Sequence, residues 1–170
     1  FEIFRDVIVP AGRYWWTSTN AQYATSSGRP LSVEAVVSTG RFYAGHASGA
    51  ELGATFRGGG HVIVGASYDV TSARLPSGNF TAAQLTTRLE YAFSTRVGFL
   101  GFAQIDNEDR RVDFNLRFHW IPKIGDDVYV VWNSGFTTDP DAPARFPTRR
   151  SLSHPLNGAL ILKAVHRVAR

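Results

Sequence analysis

A chain of 170 residues has the length of one domain, and its 44% hydrophobic and 19% charged residues exclude a disordered polymer. The net charge of +4 comes mostly from arginines scattered along the sequence, which argues against a nucleic-acid partner. With no cysteine there is no disulfide framework and no thiolate metal site or thiol nucleophile, and with no run of about 18 apolar residues there is no helical membrane span.

Taken in chain order, the sequence reads as strands. Residues 2–9 form a first, untidy strand that stops at Pro10-Ala11-Gly12, and residues 14–24 form a second that stops at Ser26-Ser27-Gly28-Arg29-Pro30. Then Leu31, Val33, Ala35 and Val37 alternate with Ser32, Glu34 and Ser38, a period of two that only a strand satisfies. Ala50, Leu52, Ala54 and Phe56 alternate in the same way with Glu51, Thr55 and Arg57, up to the Gly58-Gly59-Gly60 break. Val62, Val64, Ala66, Tyr68 and Val70 follow, set against His61, Ser67 and Asp69, and the turn Pro76-Ser77-Gly78-Asn79 closes that segment. Leu85, Thr87, Leu89, Tyr91 and Phe93 oppose Gln84, Thr86, Arg88, Glu90 and Ser94. After a strand over 97–106, the cleanest alternation sets Val112, Phe114, Leu116, Phe118 and Trp120 against Asp113, Asn115, Arg117 and His119. Strands over 128–133 and 159–168 complete the chain, separated by the proline-rich segment 135–157, which has no alternation and reads as one long loop. The expected architecture is a single all-β domain, an antiparallel up-and-down meander of roughly ten strands that is a barrel or part of one, with a soluble β-sandwich as the alternative. The absence of methionine and the start at Phe1 suggest a processed product or the C-terminal part of a longer precursor.

Alternation alone does not say whether the apolar face is buried in a core or turned toward lipid. Numbered in order, the odd connections (near 10, 40–48, 73–79, 106–110 and 135–157) read as longer than the even ones, the asymmetry of an outer-membrane barrel. Trp15, Trp16, Tyr43, Tyr91, Phe93, Trp120 and Trp132 fall near predicted strand ends, where aromatic rings form an interfacial rim.

The runs Arg88-Leu-Glu-Tyr-Ala-Phe-Ser94, Gly101-Phe-Ala-Gln-Ile-Asp106, Asn115-Leu-Arg-Phe-His-Trp120 and Asp127-Val-Tyr-Val-Val-Trp-Asn133 resemble the closing strands of a bacterial outer-membrane barrel family of unknown function. In that family the barrel follows a carbohydrate-binding family 9-like domain. Val9-Pro-Ala-Gly-Arg-Tyr-Trp16, Gly40-Arg-Phe-Tyr-Ala-Gly45 and Ala159-Leu-Ile-Leu-Lys163 fit the same pattern, so the resemblance spans nearly the whole chain. It implies an outer-membrane barrel and carries no catalytic residues.

Chemistry-bearing motifs are few. The five histidines show no paired ligand spacing, the acidic turn Asp106-Asn107-Glu108-Asp109 lacks the spacing of a calcium loop, and no Gly-x-Ser-x-Gly elbow occurs. Gly58-Gly59-Gly60 is followed by neither a Lys-Ser/Thr pair nor a helix, so a hairpin explains it better than a phosphate cradle. What remains is a polar face or lumen made of Glu34, Glu51, Arg57, Asp69, Arg88, Glu90, Asp113, Arg117, His119 and Lys163. The expectation is a non-enzymatic outer-membrane barrel segment, structural or transport-related, without cofactor or metal, whose partner is outer-membrane lipid or a larger membrane-associated complex. The alternatives are a soluble periplasmic accessory subunit that stabilises such a complex, and a carbohydrate-binding module using Trp15, Trp16 and Trp132 on a glycan.

Overall fold

The computed structural model describes residues 1–138 and 154–166. Wherever the sequence alternates, the backbone is extended. β1 (Glu2–Phe4) and β2 (Val7–Ile8) form a small hairpin, followed by β3 (Thr17–Ala24), β4 (Leu31–Phe42), β5 (Gly45–Gly58), β6 (Val62–Leu75), β7 (Gly78–Ser94), β8 (Val97–Asp106), β9 (Arg111–Trp120), β10 (Asp126–Thr137) and β11 (His154–His166). The chain is all-β: β3 to β11 make one nine-stranded antiparallel sheet in sequence order, with β3 and β11 as its edges. This is the expected meander. It is not closed into a barrel, and no helix long and apolar enough to cross a membrane occurs among the described residues.

The turns refine the expected elements. β4 and β5 are joined by Tyr43-Ala44 alone, and β6 and β7 by Pro76-Ser77 alone, so the stretches near 40–48 and 73–79 are tight hairpins and not long loops. Tyr43 takes a positive φ of 51°, which lets two residues reverse the chain where the sequence shows no glycine at the turn. On the opposite rim, Gly59 and Gly60 both take positive φ (56° and 71°), as a primed hairpin turn requires. The predicted asymmetry of loop lengths therefore does not hold for the hairpins, since the even connections 25–30 and 121–125 are longer than the turns at 43–44 and 76–77. The predicted 135–157 loop is shortened at both ends, because β10 extends to Thr137 and β11 begins at His154; residues 139–153 lie outside the described residues. The predicted strand over 2–9 is broken at Asp6 (φ 63°) into the β1–β2 hairpin, and the strand expected over 14–24 starts only at Thr17.

Among the described residues, the buried apolar cluster lies where that hairpin meets the sheet. Val7, Val9 and Leu75 are buried, with Ile3, Tyr14, Phe42, Tyr43 and Phe80 packed around them. Phe4 stacks on Phe80 with centroids 4.9 Å apart, and Tyr43 receives the edges or faces of Phe1, Tyr14 and Trp16. The Arg5 guanidinium donates to the carbonyls of Asn107 and Glu108, and the Asn107 amide is itself fixed by bonds to Thr81 and Ala83. The hairpin thus straps one rim, from the β4–β5 turn to the β8–β9 turn, which is called the first rim below.

This small core makes the strap separable from the sheet. Leu75→Ala removes a buried side chain and is expected to destabilise the strap by about 2–4 kcal/mol. In limited trypsin digestion, cleavage after Arg5 should speed up while the β circular-dichroism band of the meander persists; loss of that band with the cleavage would contradict a separable strap.

Candidate functional site

Register sorts the sheet into two chemically different faces. Tyr23, Ala35, Leu52, Tyr68, Leu85, Ile105, Val112 and Phe136 are successive cross-strand partners from β3 to β10, an unbroken apolar row. A second row runs through Leu31, Phe56, Val64, Leu89, Gly101, Leu116, Trp132 and Leu160. Residues in the intervening register present the other face: Glu34, Gly53, Ser67, Thr86, Gln104, Asp113, Gly135 and Asn157 form one continuous polar row. All ten residues expected on a polar face share that side, because Arg57 and Arg117 are linked through Ile63, Glu90 and Leu100, and His119 and Lys163 through Tyr129.

Exposure runs opposite to that of a soluble core. Leu52, Phe56, Val64, Leu89 and Phe118 on the apolar face are exposed, and Leu160 and Leu162 reach 73% and 72%. On the polar face the smaller Ser32, Ser38, Gly49, Gly53, Gly65, Ser67 and Ala82 are half-buried. A sheet rolled toward its polar side gives this pattern, since the inner side chains crowd one another and the outer ones fan apart. No second layer covers the apolar face among the described residues; the only other sheet is the two-stranded hairpin, and it packs at the polar-side positions Phe42, Leu75 and Phe80.

The polar face carries charges of both signs. One row starts mid-strand with the direct neighbours Glu51 and Asp69, continues through Gln84 and reaches the first rim at Asp106 and Arg111; the Arg111 guanidinium pairs with Asp113 at 2.7 Å. Toward the second rim, Arg57, Arg88, Arg117, His119 and Lys163 stand with Glu34, Glu90 and Asp127, and Arg88 is held to Glu90 at 2.6 Å. His119 lies 2.8 Å from the Asp127 carboxylate and stacks flat on Tyr129 at 4.3 Å. Mid-sheet, the Asn115 amide donates to the Asn133 side chain. Glu90, Arg117, His119 and Tyr129 line an open hollow of about 460 Å³ on this face. No group of three or more metal-ligating side chains occurs among the described residues.

The aromatics expected at the rims divide. Tyr91 and Trp120 are exposed at the second rim of the apolar face, beside Phe93. Trp15 and Trp16 lie just before β3 and are exposed, Trp16 resting against Phe42 and Tyr43. Tyr43 sits in the β4–β5 turn at the first rim, half-buried against the hairpin cluster of Val9 and Leu75 rather than standing outward. Trp132 also departs from the expectation, because β10 is longer than predicted and places it mid-strand between Leu116 and Leu160. Two further tyrosines stand exposed in the first apolar row, Tyr23 near the second-rim end of β3 and Tyr68 midway along β6. Their signal was available: each occupies an apolar-face position within four residues of a hydroxyl or charged one on the same face.

No protein-family model, curated protein or solved structure matches the chain.

The ion pairs on the polar face are half-exposed, so they should organise side chains more than they hold the fold together. A double-mutant cycle of Arg111→Gln and Asp113→Asn should give a coupling below about 1 kcal/mol in denaturant titrations; a coupling several times larger would show a desolvated, tightly closed interior.

Proposed function

We propose that this chain forms part of the wall of an outer-membrane β-barrel, with its apolar face against lipid, its polar face lining the interior, and a structural or transport-related, non-enzymatic role. The observation that carries the reading is the exposed apolar face, which has large side chains in every row and no covering layer among the described residues. Soluble monomers rarely expose contiguous apolar patches beyond a few hundred Å². Its height fits as well: on β7 the apolar positions run from Ala83 to Phe93, about 33 Å along the strand, or about 25 Å after a tilt near 40°. That is the height of the apolar band of an outer-membrane barrel. Tyr91, Phe93 and Trp120 at the second-rim margin are suited to the headgroup boundary. The likeness of its strands to the barrel family that follows a carbohydrate-binding family 9-like domain belongs to the same proposal.

A soluble periplasmic accessory subunit would need a partner protein to cover the same apolar face. A glycan platform gains little support, because Trp132 sits among leucines seven strands from β3, with no polar side chain in its row to bond sugar hydroxyls.

The faces respond oppositely to charge. In refolding titrations in phosphatidylcholine bilayers, Leu116→Arg is expected to destabilise by about 2–4 kcal/mol, and Ser67→Arg on the polar face by less than about 1 kcal/mol. The wild-type protein should need detergent for extraction, and quenching by brominated acyl chains should reach Trp132. A protein that stays monomeric in plain buffer, with Leu116→Arg harmless, would sink the barrel reading.

A further inference from the structure

Just beyond the apolar band, on the same face and toward the first rim, the sheet changes chemistry within two rows. Thr19, Thr39, Ser48, Ser72 and Thr81 are successive cross-strand partners, with Thr39 Oγ1 3.0 Å from Ser48 Oγ and Ser72 Oγ 2.9 Å from Thr81 Oγ1. The next row is Thr17, Arg41, His46, Arg74 and Asn79. Arg41 is directly opposite His46, and His46 directly opposite Arg74, so two guanidiniums flank one imidazole. Direct cross-strand neighbours stand about 4.5–5.5 Å apart at Cβ, which puts the two arginines within about 10 Å of each other. The imidazole is held in place by its contact of 2.9 Å from Nε2 to Thr39 Oγ1.

Among the described residues, no carboxylate pairs with this row. All five of its residues are exposed, and neither the Arg41 nor the Arg74 side chain makes an ion pair or hydrogen bond among the described residues. The apolar-face positions of β3 to β9 contain no Asp or Glu. Two guanidiniums on one side of the sheet, with no carboxylate beside them among the described residues, leave their donors open to an outside anion. A phosphate meets the geometry, since its oxygens can accept from two guanidinium forks and from the neighbouring hydroxyls together.

We propose that Arg41, His46 and Arg74 form a headgroup site for the phosphate of an anionic lipid, whose acyl chains lie down the apolar face along Val37, Ala50 and Val70. The site rests on the reading of that face as lipid-facing. The position selects a lipid: the row stands one hydroxyl row above Val37, Ala50 and Val70, where the headgroup layer begins if the band spans the hydrocarbon.

The test uses the full chain folded into bilayers or neutral detergent, titrated with phosphatidylglycerol, phosphatidylcholine or inorganic phosphate and read by native mass spectrometry of retained lipid. Wild type should retain phosphatidylglycerol and bind the other two weakly. Each of Arg41→Gln and Arg74→Gln should weaken phosphatidylglycerol retention about fivefold, with the double variant roughly multiplicative, and Arg41→Lys should keep most of it. These exposed substitutions leave the apolar rows intact, and heat-modifiable mobility on a gel checks that each variant is folded. Equal retention by wild type and the double variant, or inorganic phosphate bound as tightly as the lipid, would overturn the site. A protein that inserts equally well into neutral and anionic bilayers without headgroup preference defeats this site alone, whereas one that enters no bilayer at all defeats the barrel reading with it.

Discussion

Backbone pairing between consecutive strands decides which side of the sheet every residue presents, and all else in this molecule follows from it. The side-chain period is two, so a slip of one residue between any two strands would bring Glu34, Asp113 and Arg117 onto the side of Leu52, Leu116 and Phe118. Eight successive strand pairings hold the same phase, with only the small shifts at Ala92/Ser94 and Gly135/Phe136. Those shifts lie near strand ends, where an extra residue disturbs few neighbours. The tight turns at Tyr43-Ala44, Pro76-Ser77 and Gly59-Gly60-His61 fix phase locally, and the hydrogen-bond ladder carries it across the sheet.

A sheet with one greasy and one polar side normally buries the greasy one. Here the reverse holds: the small, polar side is the crowded one, and the buried cluster of Val7, Val9 and Leu75 sits on it at a single rim. On the barrel reading proposed above, hydrocarbon would cover the apolar side chains that no described residue buries. The mixed charge of the polar side fits a wetted surface where charges of both signs remain hydrated.

Much of this was legible before any coordinates, and the reason is periodicity. Val112 to Trp120 and Leu85 to Phe93 alternate so cleanly that their strands, and the shared side of Arg88, Glu90, Asp113, Arg117 and His119, follow from spacing alone. Strand ends were less legible, because alternation fades where glycine and small residues sit in register: Gly45, Ala47 and Gly49 extend β5 through a stretch that reads as loop, and Ala73 does the same for β6. That shortening misplaced Trp132 at a rim and made two hairpins look like long loops. The β1–β2 strap was hidden for another reason: its turn depends on Asp6 at positive φ, which no local glycine announces, and its packing against Phe42, Leu75 and Phe80 is a contact distant in sequence. The row of Arg41, His46 and Arg74 was invisible to any reading of one segment at a time, since only pairing between β4, β5 and β6 brings the three together.

The two edges of the meander point the same way. β3 and β11 are separated by an even number of steps in an antiparallel order, and both run from the first rim to the second. Bringing them directly together would create a parallel seam in an otherwise antiparallel wall. Two copies standing the same way up, β11 beside β3, would meet the same mismatch twice. Only an odd number of intervening strands lets the hydrogen-bond ladder continue around a ring without a change of pattern, so the arithmetic of strand direction limits which assemblies this sheet can complete.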